Sequence, residues 1–291
     1  MNGIINIYKE KGYTSHDVVA KLRGILGQKK IGHTGTLDPE AEGVLPVCLG
    51  KATKLCDMIE NTDKEYQVTM LLGVETDTED LTGTILNKTT VTCTEEDVCK
   101  AVQKQIGQIK QIPPMYSALK VNGKKLYQLA REGKVVERKP RPITIYDIQI
   151  LSCYLPEVTM LVRCSKGTYI RSLCRDIGRD LGCGGCMKNL LRTEACGFFV
   201  KDSYRLDEVE QKRDAEKLDD IVMKMDIMFQ HYPALTVPSD FNKLLYNGNV
   251  IPIALESAEE KIRLYDDKGH FIGIYEHKHN RLKPIKLFFD L

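Results

Sequence analysis

Asp38 is the first candidate for chemistry, because the proline and glycines around it would hold its carboxylate in a fixed position. It lies in the segment GHTGTLDPEAEG, where Pro39 disfavours the α region for the residue before it, so the backbone at Asp38 is expected to be extended or turned. Gly32, Gly35 and Gly43 allow tight local geometry around it. A carboxylate held in this way could act on a ligand, or Asp38 and Pro39 could simply open a turn or cap a helix.

A second candidate is Arg171, which lies in CSKGTYIRSL near the start of a predicted helix. The helix macrodipole disfavours a cation there by about 0.3–1 kcal/mol, so an acidic partner is expected. A guanidinium held against Asp38 or Asp80 would keep that carboxylate ionised and oriented. The alternative is an exposed arginine that pairs with solvent or with nearby Asp176.

Three flat side chains, His33, Tyr66 and Tyr169, are predicted to lie near the loops that carry these candidates. Proteins hold unstacked RNA bases by aromatic stacking worth about 1–3 kcal/mol per base. Each of the three could equally be a packing or turn residue.

Positive charge is concentrated in one stretch, although 42 Lys+Arg against 40 Asp+Glu leave the whole chain at only +2. Between residues 120 and 141 eight basic residues face two glutamates. The basic residues are Lys120, Lys124, Lys125, Arg131, Lys134, Arg138, Lys139 and Arg141. Such a run is either a solvated basic face or an RNA contact.

The overall composition is that of an ordinary globular protein. Of 291 residues, 42% are apolar and 28% charged, which excludes disordered and fibrous classes, and the length allows one large domain, alone or with a small companion. No stretch approaches 18 uninterrupted apolar residues and no secretory leader is recognisable, so we expect a cytoplasmic protein without a membrane segment. The ten cysteines are scattered, and the single CxxC, Cys183 and Cys186, has no second pair of ligands, so they are interpreted as small buried hydrophobic residues rather than a metal site.

The elements that must position these residues are predicted from periodicity. Thr14 and Asp17 form a capping-box pattern before a helix that ends near Gly27. Residues 32–54 are predicted as a structured loop that runs into a buried segment. Further strands are predicted at 3–8, 66–73, 143–151 and 158–165, and further helices at 94–107 and 168–181.

These elements interleave without regular βαβ spacing, which favours an α/β fold with a mixed sheet over a doubly wound one. Residues 206–229 are predicted to be helical and charged, and residues 231–235 to be a linker. Short strand signals around the turn at 267–269 then predict a small β-rich appendage.

Six motifs resemble those of the bacterial tRNA pseudouridine synthases of the TruB family, which modify the T-loop uridine at position 55 of tRNA. They are KGYTSHDVV, GHTGTLDPEAEGVLPVCLGKATK, KEYQVTMLLGVETDTEDLTG, PPMYSALKVNGKKLYQLAREG, CSKGTYIRSLCRDIGRDLGCG and LLRTEACGF. They occur in the family's order and cover most of residues 1–200.

The resemblance implies a mixed, mainly antiparallel sheet of the pseudouridine synthase type with flanking helices, followed by a small β-rich domain of the PUA-like kind. The catalytic domain would span residues 1–232, including a basic RNA-clamping insertion at 110–142. The RNA-binding domain would span residues 233–291.

The implied reaction is an isomerisation that needs neither cofactor nor metal: the C1′–N1 bond of the uridine breaks, the uracil turns, and C5 bonds to C1′. The uridine must first flip out of the loop. By resemblance, Asp38 is the essential aspartate, and Arg171 and Asp80 are the ion-pair partners that orient it. Tyr66 stacks on the flipped uracil and is a candidate to take the C5 proton.

Other residues match RNA-binding and pocket positions of the family. His33 corresponds to the residue that fills the space vacated in the T loop, and Lys9, Tyr169 and Leu190 to supporting pocket positions. The expected RNA contacts of the insertion are Lys120, Lys124, Lys125, Arg131 and Arg141. The implied partner is the T arm of tRNA, bound by a monomer without a protein partner.

Two other functions remain open at this point. A guide-RNA-dependent synthase would carry similar catalytic motifs, and a tRNA-binding or folding chaperone would use the basic clamp without needing the carboxylate.

Overall fold

The computed structural model describes residues 1–59, 62–121, 123–253, 255 and 261–289. In these residues the α-helices are α1 Ser15–Leu26, α2 Cys56–Ile59, α3 Glu95–Gln103, α4 Leu126–Arg131, α5 Ile170–Asp180, α6 Leu206–Asp214 and α7 Asn242–Tyr246. The strands β1 to β17 are, in order, Gly3–Lys9, Ile31–His33, Glu42–Leu49, Lys64–Leu72, Val74–Thr76, Ile85–Lys88, Gly107–Gln111, Lys120–Val121, Lys124–Lys125, Arg141–Tyr154, Glu157–Cys164, Gly185–Ala195, Phe198–Phe199, Ala234–Thr236, Lys261–Tyr265, Phe271–Lys278 and Arg281–Leu287.

The largest sheet confirms the predicted mixed, mainly antiparallel class. Its strand order is β1-β3-β12-β4-β11-β10-β7, with β2 paired to β3 and β13 paired to β12. The pairing of β12 with β3 is parallel and the other pairings in this sheet are antiparallel. The β3–β12 pairing brings the segment after Asp38 beside a central strand of the sheet.

Strand β4 lies at the centre of the sheet because its sequence alternates. Tyr66, Val68, Met70 and Leu72 are all buried, as the period-2 pattern predicted. They join a core with the inward side chains of α3, α5 and β11. Tyr66 is thereby held between two paired strands, with little freedom to move.

Helices α1 and α5 begin differently. In α1 the Thr14 side chain accepts from the Asp17 backbone, Asp17 accepts in return, and Gly27 ends the helix at φ 60°. The capping box and the terminating glycine are as predicted. At the start of α5, Tyr169 provides no side-chain cap, so the first turn leaves Arg171 near unsatisfied N–H groups.

Three predicted segments differ from the structure. Residues 42–49, in the part of 32–54 predicted as a buried segment, are buried but form the strand β3, because pairing with β1 outweighs Pro46, whose carbonyl still accepts from the Thr34 N–H at 3.1 Å. The helix predicted at 206–229 ends at Asp214, because Glu216 adopts φ 56° and turns the chain into short 3₁₀ segments. Within the predicted linker, Ala234 already begins β14.

The C-terminal strands form their own sheet, in the order β14-β15-β16-β17. One side packs into a local core that includes Ile262, Leu264 and Leu282. The other contributes Ile274 and Phe288 to a cluster with residues of β1, β3 and β12. The appendage therefore shares an apolar interface with the large sheet.

The basic insertion has a small core of its own. Met115, Leu126 and Leu129 are buried together, and the Tyr127 N–H donates to the Ser117 carbonyl.

Among the described residues, no helix is long and apolar enough to cross a membrane.

Candidate active site

A cavity of about 620 Å³ opens between the β2–β3 loop, strands β4 and β12, and the start of α5. Of the predicted site residues, six line it: Asp38, Tyr66, Arg141, Tyr169, Arg171 and Leu190. These six are separated by up to 152 positions in the sequence, and the fold brings them to one space.

Asp38 and Arg171 form an ion pair at the edge of this cavity. The Arg171 Nε atom lies 3.0 Å from Asp38 Oδ2, and Nη1 lies 3.7 Å from Asp80 Oδ2. The guanidinium is fixed further because Nη1 donates to the Thr78 carbonyl at 3.1 Å and Nη2 to the Tyr116 carbonyl at 2.8 Å. The acidic partner expected for a cation in the first turn of α5 is therefore Asp38 together with Asp80.

Asp176, the alternative partner, instead accepts from Arg175. The Arg171 side chain is only 7% exposed, whereas that of Asp38 is 40% exposed and faces the cavity. The arrangement thus buries the cation and leaves the carboxylate accessible to a ligand.

Opposing influences set the pKa of Asp38. Burial raises its pKa above the ordinary value, Arg171 lowers it, and Asp80 raises it, with a net upward shift. The Asp80 carboxylate is itself held by the hydroxyls of Thr78 and Thr82 and by the Thr82 N–H, at 2.6–2.9 Å. Asp80 therefore acts as a fixed charge behind Arg171 rather than as a group that reaches the cavity.

Tyr66 forms one wall of the cavity and is 8% exposed. In the sheet it lies opposite Val162 on one side and Arg192 on the other. Burial raises the pKa of Tyr66 and the neighbouring Arg192 lowers it, with a net upward shift. At neutral pH the side chain is a neutral phenol that lines the cavity, which suits contact with a base.

Lys9 lies behind the Asp38 loop rather than in the cavity lining. Its fully buried ammonium donates to the carbonyls of Glu10, Pro39 and Ala41, at 3.1, 3.0 and 2.6 Å. Burial lowers the pKa of Lys9 to about 8. Lys9 thus ties β1 to both sides of the turn that follows Asp38.

The remaining predicted pocket residues have distinct surroundings. The backbone of Tyr169 is held by the Gln111 side chain, which accepts from its N–H at 2.9 Å and donates to its carbonyl at 3.0 Å. Leu190 is 8% exposed on β12. His33, at the end of β2, is half-buried outside the cavity lining, and burial lowers its pKa, so it is neutral at pH 7.

The basic residues of the insertion are mostly exposed. Lys124 lies 3.6 Å from Glu132. Lys125 and Arg131 lie over the Tyr127 ring, at 5.6 and 5.5 Å from its centroid. Lys120 is exposed on β8, whereas Arg141 is the member of the predicted set that lines the cavity.

Sequence reasoning did not single out three further basic residues of the cavity, Lys64, Lys166 and Arg192. Lys64 on β4 and Arg192 on β12 are both buried. Arg192 is inside the LLRTEACGF motif, and that motif was the one signal available for it. In the described part of the chain, no group of three or more His, Cys, Asp or Glu side chains is placed to hold a metal ion.

Comparison with known proteins shows which family this chain resembles in sequence and in fold. The model of the TruB family pseudouridylate synthase N-terminal domain matches residues 23–170, and two TruB C-terminal models match residues 171–230 and 233–288. A protein named tRNA pseudouridine synthase B from Lachnoclostridium phytofermentans is 52% identical over 99% of this chain and 100% of its own length. One of the same name from Alkaliphilus oremlandii is 44% identical over 100% and 99%.

Solved structures agree at the level of the fold. A Cbf5-Nop10-Gar1 complex contains a chain that is 26% identical, with a TM-score of 0.73 over 99% of this chain and 85% of that one. The motifs, the full-length relatives and the fold are consistent with one another, and the chain belongs to the TruB family of pseudouridine synthases.

Proposed function

We propose that this enzyme isomerises the T-loop uridine of tRNA, at position 55, to pseudouridine, with Asp38 as the essential carboxylate. The observation that carries the proposal is the accessible Asp38 carboxylate, oriented by a buried arginine in a cavity that Tyr66 also lines. Relatives named tRNA pseudouridine synthase B along the full length support tRNA as the substrate.

The charges of the cavity suit a flipped nucleotide of RNA. Its lining includes one carboxylate, Asp38, against five basic residues. These are Lys64, Arg141, Lys166, Arg171 and Arg192. A polyanionic backbone is attracted to such a site, while a volume of about 620 Å³ is in the range of small-molecule pockets and admits one nucleotide. Chemistry at a base requires that the base leave its stack, so binding and flipping precede the reaction.

Asp38 supplies the negative charge that the reaction needs near the sugar and the base. The Arg171 guanidinium favours the ionised carboxylate and fixes one of its oxygens. As the C1′–N1 bond breaks, a carboxylate at this place can attack or electrostatically assist. The uracil then turns and C5 bonds to C1′, and where the carboxylate has attacked C1′ this bond displaces it. C5 loses its proton and N1 takes one up, so that the composition of the nucleotide is unchanged.

Tyr66 contributes a stacking surface. Since its pKa is raised, it is not a phenolate at neutral pH and can accept the C5 proton only if it releases its own proton in the same step. Leu190 and Tyr169 complete the walls, and the exposed basic residues of the insertion would hold the T arm.

The function is tested with an unmodified tRNA transcript that carries tritium at C5 of uridine, incubated with the protein and without guide RNA. We expect tritium release and a single carbodiimide-dependent primer-extension stop at position 55. A transcript with cytidine at position 55 is the matched control and should give neither signal. Binding of the transcript without tritium release would instead favour the chaperone function, and release only with added guide RNA would favour the guide-dependent synthase.

A further inference from the structure

Arg192 adds positive charge to the cavity, but the chemistry proposed for Asp38 and Tyr66 gives this buried cation no step. It is 1% exposed, stands on β12 directly opposite Tyr66 on β4, and borders the cavity. In the part of the chain that the structure describes, it forms no salt bridge with a carboxylate. Burying a guanidinium without a counter-charge is costly, and an apolar side chain would fill the same space at lower cost.

The hydrogen bonds of Arg192 show what an apolar side chain could not supply. Its Nε donates to the Val44 carbonyl at 2.7 Å and its Nη2 to the Gly35 carbonyl at 3.2 Å. Gly35 precedes Asp38 and Val44 follows it, so one planar group joins the two ends of the loop that carries the carboxylate.

The backbone of Arg192 is joined to the same loop. Its Cα pairs in parallel with Gly43, and a Cβ added to Gly43 would lie 2.3 Å from the Arg192 carbonyl oxygen. The close approach of β3 and β12 at this point therefore requires glycine. Lys9 binds the middle of the loop, at Pro39 and Ala41. Arg192 binds the two ends of the loop, Gly35 and Val44, which together we call its neck.

We propose that Arg192 is a positioning residue that fixes the neck of the Asp38 loop against the strand of Tyr66, so that the carboxylate and the stacking ring keep one relative placement. The inference rests on the proposed function, in which these two side chains act on one uridine. The role depends on the forked shape of the guanidinium, which presents two donors in fixed directions. A lysine keeps the charge but cannot bridge both carbonyls in the same way.

The test compares Arg192→Lys and Arg192→Gln with the wild type in turnover, tRNA affinity and thermal melting. Displacement of a reacting group by about 1 Å can cost about 100-fold in rate. We therefore expect kcat for pseudouridine formation to fall by about 100-fold in both variants, with KM for tRNA changed by less than about threefold. Arg213→Met is the control, because Arg213 also donates to a backbone carbonyl, that of Ile25, far from the cavity.

A general loss of structure would lower melting temperature and tRNA affinity together, whereas positioning lowers kcat alone. Wild-type kcat in a folded Arg192→Lys variant would overturn the inference, and so would a loss confined to KM. An inactive wild type would instead refute the proposed function. If neither Arg192 variant folds, Gly35→Ala provides the second test. Gly35 has φ 75°, so the added methyl strains the accepting carbonyl while its Cβ meets Arg192 Nη1 only at 3.6 Å. An unchanged kcat in Gly35→Ala would then overturn the inference.

Discussion

Replacing Arg171 by methionine should lower the thermal stability and the rate of pseudouridine formation, and it should move the acidic limb of the rate profile to higher pH. All three effects follow from the ion pairs of Arg171 with Asp38 and Asp80. The substitution removes the guanidinium from Asp38 and Asp80 and leaves the Thr78 and Tyr116 carbonyls without this donor. Asp80 keeps its other hydrogen bonds, so its charge remains fixed close to Asp38.

The magnitude follows from the burial of the pair. Removing one partner of a buried ion pair costs about 3–5 kcal/mol. The Asp38 side chain is 40% exposed, so water screens part of the interaction and places the loss at the lower end, about 3 kcal/mol. At about 2–4 °C per kcal/mol, the melting temperature should fall by about 6–12 °C.

The pH dependence has a defined sign. Arg171 lowers the pKa of Asp38 against the effects of burial and Asp80, so its removal raises that pKa further. Since the proposed function requires the ionised carboxylate, we expect activity to be lost as the pH falls through this pKa. The acidic limb of the rate profile should therefore lie at higher pH in Arg171→Met than in the wild type.

The assay is single-turnover pseudouridine formation with saturating enzyme at a series of pH values, beside thermal melting of the same samples. Arg171→Lys is the matched variant: it keeps a positive charge and should shift the acidic limb less, while losing rate because one ammonium cannot hold both carboxylates and both carbonyls. A folded Arg171→Met protein with the wild-type rate and an unmoved acidic limb would refute the reasoning.

Three further predictions concern the loop, its buried lysine and the insertion. Gly43→Ala should lower the free energy of unfolding more than Gly12→Ala, because both have positive φ but only the Cβ at Gly43 meets backbone, that of Arg192; equal losses in denaturant titrations would contradict this packing. Lys9 has a pKa of about 8 in the folded protein and of about 10.4 in the unfolded chain, so between these pH values folding releases a proton and the free energy of unfolding should rise with pH. Lys9→Met should lose that rise. An identical pH dependence of unfolding in the variant and the wild type would contradict the assignment of this proton to Lys9. Arg131→Ala should weaken tRNA binding and reduce the slope of log K against log salt by about 1 in filter-binding assays, and an unchanged slope would mean that Arg131 contacts no phosphate.

The features of the fold and site that depend on residues close together in the sequence could be predicted from the sequence. The capping box of α1, the alternation of β4 and the need of Arg171 for an acidic partner all follow from residues close in sequence. The roles of Asp38 and its neighbours came from the family resemblance and stay predictions until tested.

Arg192 could not be found in this way, because its carbonyl partners lie 148 and 157 positions away and carbonyls leave no mark in a sequence. For the same reason β3 was not predicted, since the pairing that offsets Pro46 comes from β1. The end of α6 depends on the positive φ of Glu216, which its residue type does not indicate.

The most direct test of the central claim is pseudouridine formation by Asp38→Asn on unmodified tRNA, with tRNA binding and melting measured on the same preparation. Asparagine keeps the shape of the side chain and removes its charge. In this variant Arg171 keeps its contacts with Asp80 and with the Thr78 and Tyr116 carbonyls, and the melting measurement verifies that the protein is folded. We predict unchanged binding and no pseudouridine at position 55; pseudouridine formed at the wild-type rate would contradict the assignment of Asp38 as the essential carboxylate.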